Sequence, residues 1–272
     1  MESHTDRSIT TTHPRIDLGP IGLDPVAIDD VMERVHRAVV RRAPLHIVTA
    51  NMQFLGLAAH DPAFASLVQR AGLVVGDGVP LMWLSRLSGT PIPQRITGHD
   101  VTEACSAVAA AHGFRIGLLG GSAAAAPMAS QVLRTNHPGL QVVGTFNGTF
   151  DSAGFATTQA DEDRLRAEIA ECKPDILFVA LGCPKQERWI ANHIATMDVP
   201  VCVGVGSVLD VLAGQRRRAP LWMQRVGLEW SYRFLQEPTR LWRRYFAQDL
   251  PMLVGTALSV TSQRLRHRLA RQ

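Results

Sequence analysis

Short runs of β-branched and other apolar residues alternate with helical patterns along most of the chain. The runs lie at 45–49, 73–75, 115–119, 140–143, 175–181 and 201–205, and the helical patterns lie near 61–71, 99–112, 122–136, 160–172, 185–196 and 207–213. Apolarity within each run is continuous, which is typical of strands that are covered on both faces. Because strand, helix and strand follow one another with short loops, the pattern predicts an α/β fold with a doubly wound, mostly parallel, Rossmann-like sheet.

The C-terminal segment has a different charge pattern. Residues 215–272 contain 12 arginines, no lysine and three acidic residues, a net charge of +9, whereas the rest of the chain has a net charge of −5. Helical patterns at 216–237 and 239–250 predict an arginine-rich helical appendage at 215–250, followed by a basic tail at 251–272. Arginine without lysine favours bidentate binding of phosphate. The alternative is an ordinary helical pair that caps the sheet edge with a solvated basic face.

Local sequence sets the remaining boundaries. Residues 1–22 are charged and lack an apolar segment, so we expect a flexible arm rather than a signal peptide, followed by a catalytic domain at 23–214. No uninterrupted apolar run reaches the roughly 18 residues of a membrane-spanning helix. The four cysteines form no Cys-x-x-Cys or His-paired cluster, so we expect neither a zinc site nor a disulfide framework, and a cytoplasmic location.

The first two strands end in polar residues. Ligands of doubly wound sheets bind beyond the carboxyl ends of the strands, so residues directly after each strand are the site candidates. Thr49 and Asn51 offer a hydroxyl and an amide, although capping of the next helix is the simpler role. Asp77 stands between two glycines, where its carboxylate can serve as a general base, as the N-cap of a helix that starts at Pro80, or as both.

Polar or glycine-rich segments also follow the later strands. Gly120, Gly121 and Ser122 form a turn that opens a helix, where backbone N–H groups and the helix dipole suit a diphosphate. Arg95 and Lys185 are candidate cations, and Gln186 offers an amide. Gly206 belongs to a glycine pair, and the carboxylate of Asp210 could accept hydrogen bonds from ribose hydroxyls. The only Asp-x-Asp string, at 161–163, opens a helix, so we expect surface charge there rather than a metal site.

Two other classes of protein remain as alternatives. A nucleotide-dependent oxidoreductase would share the fold, but Leu209 replaces the third glycine of the dinucleotide fingerprint that Gly204 and Gly206 begin. A nucleic-acid-binding protein could use the arginine-rich segment as its phosphate contact, but that segment adjoins an acidic body with polar strand ends. These features count against each alternative without excluding it.

The polar segments occur in a particular order. The chain contains, in turn, Thr49-x-Asn51, Gly76-Asp77-Gly78, Arg95-x-Thr97-Gly98-x-Asp100, Leu118-Leu-Gly-Gly-Ser122, Gly182-x-Pro184-Lys-Gln-Glu187, Gly204-Val-Gly206 with Asp210, and Glu237-Pro238 in the arginine-rich segment. Over roughly residues 25–250 this ordered set resembles the WecG/TagA/CpsF glycosyltransferases, glycosyltransferase family 26.

The resemblance implies an activity and its partners. It implies an inverting transferase that needs no metal or other cofactor and moves a sugar from a UDP-sugar to a polyprenyl-diphosphate-linked saccharide at the inner face of the bacterial cytoplasmic membrane. Relatives use N-acetylmannosamine, N-acetylmannosaminuronic acid or glucose, and the sequence does not distinguish among them. The sequence also does not determine whether the protein forms a homo-oligomer.

The resemblance also implies residue roles. Asp77 corresponds to the catalytic base, and Asp210 lies near the nucleoside. Thr49, Asn51, Arg95 and Gln186 correspond to residues around the reacting sugars, and the tail arginines that hold the lipid diphosphate correspond to Arg233, Arg240 and Arg243. Two features depart from the family pattern: Ser207 replaces a glycine of many relatives, and the last 22 residues have no counterpart.

Overall fold

Six parallel strands form the central sheet of the computed structural model, which describes residues 14–122, 124–151, 154, 156–225 and 227–269. In chain order the sheet strands are β3 (Leu45–Ala50), β4 (Leu73–Gly76), β5 (Arg115–Gly120), β6 (Gln141–Phe146), β7 (Ile176–Ala180) and β8 (Val201–Gly204), and they are preceded by a separate pair, β1 (Ile16–Asp17) and β2 (Gly22–Leu23). The sheet order is β4-β3-β8-β7-β5-β6, with every neighbouring pair parallel. The predicted α/β fold with a parallel, doubly wound sheet is therefore confirmed.

Helices cover both faces of this sheet. They are α1 (Ile28–Arg41), α2 (Met52–His60), α3 (Pro62–Arg70), α4 (Val79–Ser88), α5 (Gly98–His112), α6 (Ala125–Asn136), α7 (Gln159–Cys172), α8 (Lys185–His193), α9 (Val208–Leu212), α10 (Leu221–Arg225), α11 (Glu229–Gln236), α12 (Pro238–Trp242) and α13 (Leu250–Leu269), with a π-helix at Arg243–Asp249. Successive strand residues face opposite layers: Ile47 belongs to the core layer that includes residues of α1, α5 and α6, whereas Val48 belongs to the layer that includes residues of α2, α3 and α4. Burial on both faces explains the continuous apolar runs.

The start of the described chain packs on the domain. β1 and β2 form an antiparallel pair, and the apolar side chains of Ile16, Leu18 and Ile21 are buried in one of the core layers. Arg15 pairs with the buried carboxylate of Asp24 at 3.1 Å. The expectation of a flexible arm is therefore wrong for residues 14–22, because alternating apolar residues there cover the sheet layer. Residues 1–13 lie outside the described part of the chain.

A glycine interrupts the first helical pattern of the C-terminal segment. Gly227 has a φ of +79° and separates α10 from α11, so the prediction of one helix over 216–237 is wrong. Glycine adopts this left-handed conformation without steric cost. Pro238 then begins α12, because the first helical position needs no N–H donor.

The last helix is part of the fold rather than a separate tail. Helical structure continues from Pro238 through the π-helix and α13 to Leu269, well past the predicted end at 250. α13 packs against α4 and α2, and Val260 is only 2% exposed. Arg264 donates from one guanidinium nitrogen to the carbonyls of Arg86 and Leu87 at 3.4 and 3.3 Å. Among the described helices, none combines the length and the apolarity needed to cross a membrane.

Candidate active site

The carboxyl ends of five neighbouring strands form one continuous edge. The backbone N–H of Asp77, after β4, donates to the carbonyl of Ala50 in β3 at 2.6 Å, and Gly121, after β5, donates to Ala180 in β7 at 3.0 Å. The segments that follow β4, β3, β8, β7 and β5 therefore lie side by side. We call this edge the sheet rim; it comprises residues 49–51, 76–78, 120–122, 182–186 and 204–210.

Thr49 and Asn51 bond to the backbone of the rim. The buried hydroxyl of Thr49 donates to the carbonyl of Gly204 at 3.0 Å and so links the ends of β3 and β8. Asn51 is the N-cap of α2, and its side-chain oxygen accepts from the N–H of Gln53 at 2.9 Å. The capping role of Asn51 is confirmed, and contact of either residue with a sugar stays a prediction.

Asp77 precedes the cap of its helix. α4 begins at Val79 with Gly78 at the N-cap position, so the alternative that Asp77 itself caps this helix is wrong. Gly78 has a φ of +131°, a conformation that favours glycine and turns the chain sharply after the carboxylate. The side chain of Asp77 is half-buried at the rim. Its role as general base stays a prediction.

Gln186 ties two loops of the rim together. Its side chain is buried, at 2% exposure, and its Oε1 accepts from the N–H groups of Gly182 at 3.2 Å and Gly206 at 3.0 Å. Its Nε2 donates to Oε1 of Glu187 at 2.7 Å. These bonds fix the loops after β7 and β8 relative to each other. The geometry gives Gln186 a positioning role, and contact of its side chain with the reacting sugars stays a prediction.

Glu187 is a fully buried carboxyl that the sequence shows only as the last residue of the Gly182–Glu187 motif. Burial raises the pKa of Glu187 to about 7, although the hydrogen bond from Gln186 opposes this shift. A Cβ atom at Gly204 would lie 2.6 Å from Nε2 of Gln186 and 2.9 Å from Oε1 of Glu187. Gly204 is therefore required by the close packing of these two side chains rather than by a ligand.

The glycine turn after β5 lies beside Asp210. Gly120 and Gly121 have φ values of +87° and +80°, which glycine alone adopts readily. The N–H of Ser122 donates to Oδ1 of Asp210 at 3.0 Å, and the Ser122 hydroxyl donates to Oε1 of Gln215. The structure therefore brings together two of the segments that we assigned to a nucleotide site.

Two candidates depend on where helices begin. α6 begins at Ala125, three residues later than predicted, so the glycine turn precedes the helix instead of opening it. α8 begins at Lys185, as predicted, and Nζ of Lys185 lies 3.5 Å from the carbonyl of Phe150. Gly206 has a φ of +60° in the turn before α9. Binding of a nucleotide by these residues stays a prediction.

Arg95 connects the sheet rim to the appendage. Its loop is held at the end of β4 by a 3.0 Å hydrogen bond from the N–H of Ile96 to the carbonyl of Gly76. One guanidinium nitrogen donates to the carbonyl of Gln224 at 3.3 Å, and another lies 3.6 Å from Oε2 of Glu229. The predicted active-site cation therefore contacts the C-terminal segment. The sequence analysis did not select Glu229. One feature of the sequence could have identified it, because it is one of only three acidic residues beside 12 arginines in residues 215–272.

The predicted tail arginines lie on three consecutive helical segments. Arg233 is in α11, Arg240 in α12, and Arg243 begins the π-helix. The side chains of Arg233 and Arg240 lie outside the part that the structure describes, and Arg243 is exposed. Binding of a lipid diphosphate by these three residues stays a prediction.

The Asp-x-Asp string at 161–163 stabilises the start of α7. Asp161 bonds to the N-cap residue Thr158 and pairs with Arg164 at 3.0 Å. Glu162 is not surface charge as expected: it is buried and accepts a hydrogen bond from Trp189 at 3.2 Å. Within the described ranges, no group of three or more His, Cys, Asp or Glu side chains is placed to hold a metal ion.

This sheet, its polar rim and the attached helices define the class of protein. Residues 16–269 match the family described as "Glycosyl transferase WecG/TagA/CpsF family", and the chain belongs to it. The chain is therefore a glycosyltransferase rather than a nicotinamide-dependent oxidoreductase.

Similar proteins have a more specific name. The chain is 27% identical over 231 residues to the N-acetylglucosaminyldiphosphoundecaprenol N-acetyl-beta-D-mannosaminyltransferase of Staphylococcus aureus strain MW2, a match that covers 84% of this chain and 87% of the relative. The protein of the same name from strain NCTC 8325 / PS 47 matches with the same identity and coverage.

Proposed function

We propose that this chain is an inverting glycosyltransferase that moves a sugar from a UDP-sugar to a polyprenyl-diphosphate-linked saccharide during assembly of a cell-surface polysaccharide. The observation that carries the proposal is the sheet rim, where Asp77 and the Ser122–Asp210 contact follow strand ends and the loop of Arg95 is bonded to the end of β4. The similar staphylococcal enzymes are named for transfer of N-acetylmannosamine to an undecaprenyl-diphosphate sugar. We therefore choose UDP-N-acetylmannosamine as the first donor, with N-acetylmannosaminuronic acid and glucose donors as alternatives.

Asp77 is the proposed base of a single displacement. Its carboxylate removes the proton of the acceptor hydroxyl while that oxygen attacks C1 of the sugar and the bond from C1 to UDP breaks, which inverts the configuration at C1. The half-buried position of Asp77 directly after β4 supports this role. Thr49, near the end of β3, and Asn51, directly after β3, are on the neighbouring strand segment, where they would line the sugar subsite.

The nucleotide would bind across the middle of the rim. We assign its diphosphate to the turn at Gly120, Gly121 and Ser122, and its ribose hydroxyls to Asp210. The 3.0 Å hydrogen bond between Ser122 and Asp210 supports a common site for the two. Lys185 and Gly206 flank this site, and Gln186 would hold its loops in place.

Departure of UDP builds negative charge on the diphosphate, and we propose that Arg95 and the rim N–H groups stabilise it without a metal ion. The use of Asp161 and Glu162 within the fold supports this proposal, because the only Asp-x-Asp string has other partners. Protein treated with EDTA should keep its transfer activity. Loss of transfer that Mg²⁺ restores would contradict the proposal.

Exposed apolar side chains mark one side of the C-terminal helices. We call five of them, each 41–69% exposed, the apolar stripe: Phe246, Leu250, Val254, Leu258 and Leu265. Trp222, Trp230 and Trp242 are also exposed. Apolar surface beside arginines is typical of helices that lie in a membrane interface. We propose that this surface docks the protein peripherally on the inner face of the cytoplasmic membrane, where the arginines bind the lipid diphosphate.

A donor screen tests the proposed function. The purified protein would be incubated with UDP-linked N-acetylmannosamine, N-acetylmannosaminuronic acid or glucose, each with and without a synthetic polyprenyl-diphosphate N-acetylglucosamine. We expect one donor to give a disaccharide product only when the acceptor is present, and NMR of the product to show an inverted anomeric centre. A retained configuration, or absence of transfer from all three donors, would contradict the proposal.

A further inference from the structure

A carboxylate lies between two arginines where the appendage meets the sheet rim. Glu229, the first residue of α11, places Oε2 3.6 Å from a guanidinium nitrogen of Arg95 and Oε1 3.4 Å from Nε of Arg218. All three side chains are about one fifth exposed. Arg218 is also close to His99: burial lowers the pKa of His99, and the charge of Arg218 lowers it further. We call Arg95, Glu229 and Arg218 the arginine–glutamate triad.

Both ion pairs of the triad are long. Charge-assisted hydrogen bonds from guanidinium to carboxylate usually measure about 2.7–2.9 Å and are often bidentate. Glu229 instead reaches each arginine through a single oxygen at 3.4 Å or more. In the same segment the pair Arg216–Glu237 is more exposed and has the shorter distance of 3.0 Å. Neither arginine therefore forms a short, bidentate pair with Glu229.

The charges of the triad are also unequal. Two guanidinium groups, which stay protonated in proteins, face one carboxylate. The contact is largely shielded from water, so the attraction of both arginines for an anion is screened less than at an open surface. A diphosphate has more negative charge and more acceptor oxygens than a carboxylate, so it can pair with both arginines at once.

The triad adjoins segments that contact the chain on either side of the proposed base. Gly227, in the turn before α11, lies so close to Val79 that an added Cβ atom would be 2.3 Å from Cγ2 of that valine. Val79 is the first residue of α4 and is two positions after Asp77. Arg95 also donates to the carbonyl of Gln224 at 3.3 Å. A ligand that separated Glu229 from Arg95 would therefore act on the contact between the appendage and the rim next to Asp77.

We propose that Arg95 and Arg218 form a diphosphate-binding site that Glu229 fills in the ligand-free protein. This inference rests on the proposed function, because the ligand is the diphosphate of the sugar donor or of the lipid acceptor. Binding exchanges the contacts of Glu229 for phosphate contacts. Occupancy of the site is thereby coupled to the position of α11, and Arg218 becomes a further substrate-binding residue.

Calorimetric titration of the full-length protein tests the site. The ligands are UDP, UMP and farnesyl diphosphate, at one fixed salt concentration. Glu229→Gln removes the competing carboxylate and should lower the Kd of a diphosphate by about three- to tenfold. Arg218→Gln should raise that Kd by about tenfold or more. UMP has one phosphate and should respond less than UDP. The ligand that responds, UDP or farnesyl diphosphate, identifies the donor or the acceptor as the source of the diphosphate.

Matched variants separate the site from general charge effects. Glu237→Gln and Arg216→Gln remove the same charges from the neighbouring ion pair and should change each Kd by less than about twofold. If Arg218→Gln does not fold, Arg218→Lys should still weaken diphosphate binding, because lysine keeps the charge but loses the bidentate geometry.

Three outcomes would overturn the inference. Unchanged Kd values in both Glu229→Gln and the Arg218 variant, beside normal transfer by the unsubstituted protein, would overturn the triad site alone. Equal effects at Glu237 and Glu229 would do the same. If the unsubstituted protein bound neither UDP nor farnesyl diphosphate, the proposed function would fail together with the site.

Discussion

The sheet rim and the appendage use their side chains in opposite ways. On the rim, Thr49, Gln186 and Asp210 bond to backbone groups of neighbouring strand ends. In the appendage and α13, by contrast, Trp222 and Leu258 are 61% and 69% exposed. Side chains that already have partners within the fold hold a fixed geometry, which suits a small ligand. Exposed apolar side chains gain free energy only when an external surface covers them, which suits a membrane.

The largest effect should come from the rim at Asp77. Asp77→Asn keeps the size of the side chain but removes the proposed base, so kcat should fall by roughly 10² or more, while UDP binding and the unfolding midpoint stay nearly unchanged. Steady-state transfer assays, calorimetry with UDP and thermal denaturation measure these three quantities.

A matched aspartate controls for the loss of charge. Asp198 is exposed and pairs with Arg42 beside the loop that leads into β8, at the opposite end of the sheet from the rim. Asp198→Asn should leave kcat within about twofold of the unsubstituted value. A kcat for Asp77→Asn equally close to that value would remove Asp77 from the role of base.

The apolar stripe should give the next largest effect, on membrane binding. Val254→Gln with Leu258→Gln removes two members of the apolar stripe, so binding to phosphatidylglycerol-containing vesicles should weaken roughly thirtyfold, at about 1 kcal/mol for each side chain. UDP binding should not change, because the rim is intact. Vesicle co-sedimentation and calorimetry provide the two readouts.

Two exposed apolar residues on the catalytic domain provide the control. Val40 and Met128, at 63% and 45% exposure, lie on α1 and α6. Val40→Gln with Met128→Gln should leave vesicle binding nearly unchanged. Equal losses in the two double variants would contradict a specific role for the stripe. A change in oligomeric state without a change in vesicle binding would instead assign the stripe to contacts between copies of this chain.

The sequence predicted the sheet better than the ends of the chain. Continuous apolar runs identified all six parallel strands, because burial on both faces leaves a strong local signal. α1 was not predicted, α2 and α4 were considered only as helices that Asn51 and Asp77 could cap, and residues 16–22 were assigned to an arm. The buried positions of Ile16 and Ile21 depend on contact with helices distant in sequence, which periodicity over so short a segment does not reveal.

The candidate site was predictable as positions but not as contacts. Strand ends located Asp77, Gln186 and the glycine turn, because parallel topology brings the carboxyl ends together. Which side chains would bond to the backbone, as Gln186 does, depends on distances between separate loops. The link from Arg95 to Glu229 joins residues 134 positions apart in the chain, and no local pattern specifies it.

Gln186 tests whether the rim is held by its own hydrogen bonds. Gln186→Ala leaves the N–H groups of Gly182 and Gly206 without their acceptor, so the free energy of unfolding should fall by about 2 kcal/mol and kcat by about tenfold. Gln53 is the control, because its amide makes one long contact with the described residues, 3.4 Å to the carbonyl of Cys183.

The comparison of the two glutamines is made by urea denaturation and transfer assays. Gln53→Ala should change the free energy of unfolding by less than about 0.5 kcal/mol. A Gln186→Ala protein that keeps its stability but loses transfer would contradict the positioning role and would return Gln186 to direct contact with substrate.

The smallest effect should appear as a pH dependence of stability. Because burial raises the pKa of Glu187 to about 7, this carboxyl stays protonated in the folded protein where it ionises in the unfolded chain. As the pH rises, the unfolded chain therefore loses this proton at a lower pH than the folded protein does. The free energy of unfolding falls between about pH 4.5 and pH 7 and does not change with this group above pH 7. Glu187→Gln is neutral at every pH and removes this dependence. Between pH 6 and 8 the unsubstituted protein should lose about 1 kcal/mol relative to the variant in urea denaturation. Parallel pH profiles for the two proteins would show that Glu187 titrates normally and that the rim is less closed to water than its contacts indicate.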